Sequence, residues 1–307
     1  MTLLEIEDLS ISFKQYTSRF KQDELEVIHQ LHVMVEEGEI VAIVGSSGSG
    51  KSLLAHALLG ILPNHATVKG RMYYNGHNLT KQRIERLRGC EIAFVPQSVT
   101  YLDPTMKVGK QVRNAVRNGN KNKAQEKVFH DFQLDKHVAD MYPYELSGGM
   151  ARRILLAIAK VSGAKLFVAD EPTPGLDAEV MKDTLASFRK LADDGAAVMM
   201  ITHDIEMATR IANKVAVFYA GTTVEIAPIE AFKGNGEQLK HPYSQALWKA
   251  LPQNQFQTID GHQPLLSESI KGCAFSPRCN WATHICHKKK PEVRYVENGM
   301  VRCHHAT

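Results

Sequence analysis

An α/β fold built around a parallel sheet is predicted by three features of the sequence. The runs EIVAIV, KLFVAD and AAVMMI are short and almost continuously apolar, and a segment of helical character separates the last two. Strands buried on both faces read this way, because crossover helices cover a parallel sheet above and below. The first run passes directly into GSSGSGKS and then into SLLAHALLGIL, giving a strand, a glycine loop and a helix in succession. Finally, LEIEDLSISF alternates, and VIHQLHVMVEEGEIVAIVG is β-rich up to its glycine, so strands also open the chain.

The remaining elements follow in order. Lys14 to Glu26 is polar and without a strong pattern, and is read as a hairpin loop. After Leu62 and Pro63 comes a second strand pair, with Asn75 and Gly76 marking a turn behind RMYY. From about residue 98 to 162 the composition is helical and polar, and KLFVAD and AAVMMITHD then restore the buried strands. No motif is repeated. Past Ile229 the pattern changes to GNGEQLKHPYSQALWKALP and then to an end rich in Pro, Cys and His. The boundary is placed near residue 232, giving a main unit of residues 1–231 and an extension of residues 232–307.

Composition limits what such a chain does. Its 307 residues, 44% hydrophobic and 23% charged, suit a globular protein with a full core. No apolar run approaches the ~18 residues that span a bilayer; Ile154 to Ala159 is among the longest. The start, MTLLEIEDLS, lacks the basic end and apolar stretch of a secretory signal, so a cytosolic location is expected. The net charge of +4 comes from the extension, where ten Lys and Arg face five Asp and Glu, against 27 and 28 in residues 1–230. Such an excess suits either a surface facing phosphates, lipid or nucleic acid, or the balancing of an anionic bound group. Lys288 to Lys290 read as a solvated face.

The chemistry starts at Gly45, Ser46, Ser47, Gly48, Ser49, Gly50, Lys51 and Ser52. Glycines there allow backbone N–H groups to turn inward on phosphates, and the following helix adds its positive end. Lys51 is placed to reach the β and γ phosphates and Ser52 to offer a hydroxyl to Mg²⁺. This spacing predicts a nucleoside triphosphate site of the P-loop NTPase kind. KLFVADEPT carries Asp170 to a strand end, where a carboxylate can hold the Mg²⁺ shell, and places Glu171 to polarise an attacking water. Gln97, in FVPQS, offers an amide to both metal and water, and His203, in MMITHD, a hydrogen bond to the γ phosphate. A second glycine pair, in YELSGGMARR, opens a helix whose apolar face includes Ile154, Leu155 and Ile158. Its N–H groups form an anion site with no phosphate of their own.

Taken together, GSSGSGKS, Gln97, LSGGM, LFVADE, Gly175 to Asp177 and His203 resemble, in order, the motifs of the ATPase subunits of ATP-binding cassette transporters. The resemblance covers residues 1 to about 230. It implies a RecA-like parallel sheet with an antiparallel β-subdomain and an α-helical signature subdomain. It also implies two ATPase subunits closing head to tail, with Leu146, Ser147, Gly148, Gly149 and Met150 capping the partner's ATP and Asp177 linking the two sites. Met150 stands where Gln is commoner, and TPGLD where TTALD or TSALD is usual. By strand position Phe13 is the adenine-stacking aromatic; Tyr16 and Phe20 are the alternatives.

In the extension, HPYSQALWKALP and GCAFSPRCNWATHICHKKKP are similar to the C-terminal extension of subunits serving oligopeptide, dipeptide and nickel importers. Four of the five cysteines, Cys273, Cys279, Cys286 and Cys303, fall there. In a cytosolic chain that clustering favours metal over disulfides. A four-iron, four-sulfur cluster, which some members of the resembled family carry, ranks ahead of free thiols and of zinc, the last weakened by the absence of any C-x-x-C pair. His284, His287, His304 and His305 are lesser ligand candidates, and Cys90 is read as core packing.

The expected protein is an ATP- and Mg²⁺-dependent hydrolase that powers import of peptides or nickel, peripheral on the cytoplasmic face of the inner membrane. The expected partners are two transmembrane permease subunits, a paralogous second ATPase forming a heterodimer and, indirectly, an extracytoplasmic substrate-binding protein. No nucleic acid is expected. Alternatives are an importer of metal chelates or other small solutes, and a soluble cassette ATPase acting on nucleic acid or ribosomes. The last usually has two cassettes or long coiled coils, whereas this sequence has one cassette and no sustained heptads.

Overall fold

The computed structural model describes residues 1–18, 21–46, 48–264, 270–296 and 299–306, with backbone alone at 16–18 and 21–23. The chain opens with β1 (Thr2–Ser18) and β2 (Lys21–Glu36), an antiparallel pair that buries Leu4, Ile6, Leu9 and Ile11 on its inner face. Their alternation is offset by a bulge between Ile6 and Leu9, where Asp8 takes a left-handed φ of 49°. The loop expected over Lys14 to Glu26 is instead mostly ladder, with Lys14 opposite Glu24 and Gln15 opposite Asp23. The exposed Lys14 faces the exposed Glu24, so complementary charge supports the pairing where burial does not.

Next come β3 (Ile40–Gly45), α1 (Lys51–Leu58), β4 (Ala66–Tyr74) and β5 (His77–Asn78). The turn between the last two uses positive φ at Asn75 and Gly76, 49° and 71°, as the sequence anticipates. A helical region follows: α2 (Lys81–Leu87), then β6 (Ile92–Val95), α3 (Val108–Ala115), α4 (Lys121–Asp131) and α5 (Gly148–Val161). Alternating strands and helices continue through β7 (Leu166–Asp170), α6 (Ala178–Asp193), β8 (Ala197–Thr202) and α7 (Ile205–Ile211). The hairpin β9 (Lys214–Tyr219) and β10 (Thr222–Pro228) precedes the extension, which adds α8 (Pro242–Lys249), α9 (His284–Lys288), β11 (Arg294–Val296) and β12 (Gly299–Val301).

Two sheets result. One is antiparallel, in the order β2-β1-β4-β5; the other runs β11-β12-β10-β9-β3-β8-β7-β6 and is parallel from β9 to β6. Every residue of β3, β7 and β8 is buried, as their apolar runs require. Alternate side chains serve two cores. Ala42, Val44, Phe167 and Met200 meet the helical region, whereas Val41, Ile43, Val168 and Met199 meet α1 and the antiparallel sheet. Because β3, β6, β7 and β8 are parallel, their carboxyl ends share one edge of the sheet, where α/β proteins bind ligands.

The extension is built onto the main sheet. Strand β12 pairs with β10, Glu225 opposite Val301 and Ile226 opposite Met300. Tyr243 and Phe275 close over Tyr219, with ring centroids 4.4 and 5.3 Å away. Buried Glu225 accepts the backbone N–H groups of Lys240 and His241 at 2.6 and 3.0 Å. Among the described residues, no helix is long and apolar enough to cross a membrane.

Candidate active site

The phosphate loop leaves β3 at Gly45, and it cannot begin with a larger residue. A β-carbon there would lie 2.6 Å from the carbonyl oxygen of Phe218 on the neighbouring strand. Gly50 then takes φ 95° as it caps α1, a left-handed conformation that disfavours side chains. The Lys51 ammonium lies inside the loop, 2.8 Å from the Gly45 carbonyl and 2.9 Å from that of Ser46. Burial pushes the pKa of Lys51 down, and the charges of Glu171 and Asp170 oppose that shift. Gly48 and Ser46 are exposed on the loop and Ser49 is buried. Ser47 lies outside the described residues.

Parallel pairing brings the next group to the same edge. Ser52, at the start of α1, donates its hydroxyl to Asp170 Oδ1 at 3.2 Å across from the end of β7. Burial pushes the Asp170 carboxyl up, a trend that the Ser52 hydrogen bond opposes. One step on, Glu171 turns to φ 46°, and its N–H is held by Ile201 O at 2.9 Å. Its Oε2 lies 2.9 Å from Nδ1 of His203, which follows β8. Glu171 is therefore not a helix cap: α6 is capped by Asp177, whose Oδ1 accepts from Glu179 and Val180 N–H at 3.1 and 2.9 Å. Gln97 stands exposed just beyond β6. Phe13 is half-buried beneath the ring of His65, the centroids 5.6 Å apart. The alternatives Tyr16 and Phe20 lie outside the described side chains.

The signature forms a separate group. Ser147 caps α5 by accepting the N–H of Met150 at 3.2 Å, and Leu146 packs partly buried behind it. Its two glycines serve different ends. Gly148 faces open space, whereas a β-carbon at Gly149 would lie 2.6 Å from Cγ1 of Val180 on α6. Among the described residues, no hydrogen bond joins LSGGM to the phosphate loop of the same chain.

Sequence reasoning missed Arg152. Only 3% exposed, it donates Nη1 to the carbonyl of Pro96 at 2.7 Å, joining the signature helix to the Gln97 segment. Its position one turn into α5 was legible; the partner, 56 residues away, was not. His65 was missed for the same reason. Cys90 is not in the core: it is half-buried, and its thiol donates to Arg86 O at 3.1 Å, because the turn after α2 leaves it at the domain surface.

In the extension, all four cysteines are free and line one small cavity of about 10 Å³, together with His304 and His305. Cys286 Sγ is 3.4 Å from His305 Nε2. Burial, with a smaller contribution from the other three thiols, pushes the Cys273 thiol up to about 11. Among the described residues, no three His, Cys, Asp or Glu side chains form a ready-made metal-holding group.

A phosphate loop at the end of β3, carboxylates at the end of β7 and a detached helix-capping signature define a cassette ATPase. The ABC transporter family model matches residues 28–174, and the model described as "Oligopeptide/dipeptide transporter, C-terminal region" matches 224–286. The chain is 30% identical to the dipeptide transport ATP-binding protein DppD of Haemophilus influenzae, over 99% of its own length and 96% of that protein. It is 33% identical to the oligopeptide transport ATP-binding protein OppD of Escherichia coli, over 98% and 92%. A solved dimer of the ATP-binding cassette MJ0796, bound to ADP and Pi, matches in fold with a TM-score of 0.63 at 22% identity, over 74% of this chain and 99% of that one. The chain belongs to the ATP-binding cassette transporter family, as an ATPase subunit with the C-terminal region of the oligopeptide and dipeptide transporters.

Proposed function

We propose that this ATPase powers import of short peptides through a membrane permease, with residues 1–231 as the catalytic unit and residues 232–307 as its accessory extension. The single observation carrying the cargo class is similarity to dipeptide and oligopeptide transport proteins along nearly the whole chain, extension included. Nickel rests on the extension's resemblance to that of nickel-importer subunits, with its histidines in support, and is the secondary cargo. The nucleic-acid alternative has no support from these relatives.

The residues fit a magnesium nucleotide: the Ser52 hydroxyl and Asp170 carboxylate stand side by side at the end of a glycine loop. Ser52, Asp170 and Gln97 would hold the metal, which supplies positive charge against the phosphates. Lys51 orients and neutralises the β and γ phosphates, releasing its loop carbonyls to do so. Glu171 accepts a proton from the attacking water, and His203 fixes the direction of its carboxylate. As the water oxygen bonds the γ phosphorus, the bond from that phosphorus to the β–γ bridging oxygen breaks, ADP leaves with the bonding pair, and the water's proton stays on Glu171. Ser147, Gly148 and Gly149 present N–H groups to the nucleotide of a partner ATPase, a paralogue forming a heterodimer, and Asp177 lies at that junction. Phe13, with His65 over it, offers the aromatic face for adenine.

The four extension cysteines fit a four-iron, four-sulfur cluster as a donor set, which would tie residues 273–286 to the last strand. Anaerobic purification followed by iron and sulfide analysis should give about four of each per chain; none of either removes the cluster.

The transport reading is tested by uptake of a labelled dipeptide and of Ni²⁺ into cells carrying the chain or its Glu171→Gln variant. Dipeptide uptake lost in the variant is the expected result. Dipeptide uptake indifferent to the variant overturns the reading.

A further inference from the structure

Beyond the nucleotide site, a cavity of about 300 Å³ lies between the β1–β2 hairpin, the β9–β10 turn and the extension. Its size falls at the lower end of small-molecule sites. Both signs of charge line it: Glu24 and Glu26 on the hairpin, Lys290 and Arg302 on the extension. Leu25 and Phe275 supply apolar wall.

Arg302 is the informative residue. It is only 8% exposed, it donates Nη2 to Gln30 O at 2.5 Å, and among the described residues its buried Nε has no partner. Among the described residues, no carboxylate stands within ion-pair distance of it. Burial of the guanidinium is costly and the charge of Asp8 offsets it only in part, so a carboxylate entering the cavity would lower the cost further. Arg also matches a carboxylate in two parallel hydrogen bonds. Across the cavity, Glu26 Oε2 lies 2.9 Å from His29 Nδ1. Burial pushes its carboxyl up, but hydrogen bonds and charge from His29, Ser10 and Lys290 outweigh that and hold it below the usual range. It faces the cavity as an anion suited to an ammonium group.

We infer that this cavity binds a small zwitterion, a free amino acid or dipeptide, with its carboxylate at Arg302 and its ammonium at Glu24 and Glu26. The site goes beyond the transport reading and does not depend on it. It also adjoins the nucleotide site. Val27 and Ile28, which continue the hairpin strand from Glu26, lie against Gly50 of the phosphate loop, where a β-carbon would be 3.5 and 3.2 Å from them. The same strand thus touches both sites, and any coupling between ligand and nucleotide through it is reciprocal.

Isothermal titration of the purified full-length chain with Ala-Ala tests the site, using N-acetylated and C-amidated Ala-Ala, inorganic phosphate, and the variants Glu26→Gln and Arg302→Gln. The expected result is one Ala-Ala per chain, with affinity falling about tenfold or more on capping either end or in either variant. Should Arg302→Gln fail to fold, the capped peptides on the unaltered chain and Glu26→Gln give the same discrimination. Absence of Ala-Ala binding up to about 1 mM, equal binding of the capped forms, or phosphate competing as well as the dipeptide would each overturn the zwitterion site. None of these outcomes touches ATP hydrolysis, so failure here is separable from failure of the transport reading.

Discussion

Among single residues, Glu171 is the most tightly aimed. A left-handed φ, a backbone anchor to Ile201 and the His203 ring at 2.9 Å all serve to aim one carboxylate. Glu171→Gln keeps the shape and removes the base, so ATP binding should be unchanged while phosphate release falls at least ~100-fold. Equilibrium nucleotide binding and a single-turnover assay on the same preparation check both halves; near-normal turnover would remove Glu171 from the role. His241 supplies a second residue-scale expectation. It is 1% exposed, its Nδ1 accepts the Tyr243 N–H at 3.0 Å, and burial pushes its pKa from 6.5 down to about 3. The folded form stays neutral where the unfolded chain takes up a proton, so stability is lost as pH falls from 6.5 toward 3. Between pH 6.5 and 5 that loss is about 2 kcal/mol. Buried Glu225, whose pKa is raised chiefly by desolvation, acts with the opposite sign, so the comparison must isolate His241. His241→Asn keeps a capping acceptor and does not titrate; denaturant unfolding at both pH values should show the wild type losing about 2 kcal/mol more than the variant.

Secondary elements show where sequence patterns carried the argument and where they stopped. Continuous apolar runs marked β3, β7 and β8 because these strands are buried on both faces. Residues 14–26 read as a loop in sequence because their mostly polar composition carries no period-two signal. Strands β11 and β12, three residues each, are too short to announce themselves; β12 forms on the edge that β10 offers, and β11 on β12. For the site, Ser52, Asp170, Glu171 and His203 were legible because each follows a strand or opens a helix within a local motif. Contacts closed over distance, such as Arg152 to Pro96 and Phe13 to His65, carry no local signature. The Gly149 contact yields an element-scale prediction. Gly149→Ala drives a methyl into Val180, which should cost about 1–3 kcal/mol of stability. A second change, Val180→Ala, should recover most of it by vacating the same space, whereas Gly148→Ala, facing open space, should not show this overpacking. Thermal unfolding of the three variants distinguishes steric contact from any loss of N–H donation.

Over the whole molecule, parallel strand order does the assembling: it gathers residues from 45 to 203 onto one sheet edge, to whose phosphate loop the signature makes no hydrogen bond among the described residues. In the proposed function a second ATPase completes this site, with the nucleotide held between the two. The extension is structurally continuous with this body, since β12 continues its sheet and Phe275 covers Tyr219. A chain ended at residue 231 should therefore expose Ile226 and the edge of β10 and lose solubility, as fractionation of the two lengths would show. The most direct test of the central claim is to purify the tagged chain from gently solubilised membranes, without oxygen, and identify what accompanies it. Two permease subunits and a second cassette ATPase are the predicted companions. Recovery only from the soluble fraction, together with ribosomes or DNA, would contradict the importer while leaving the ATPase chemistry in place.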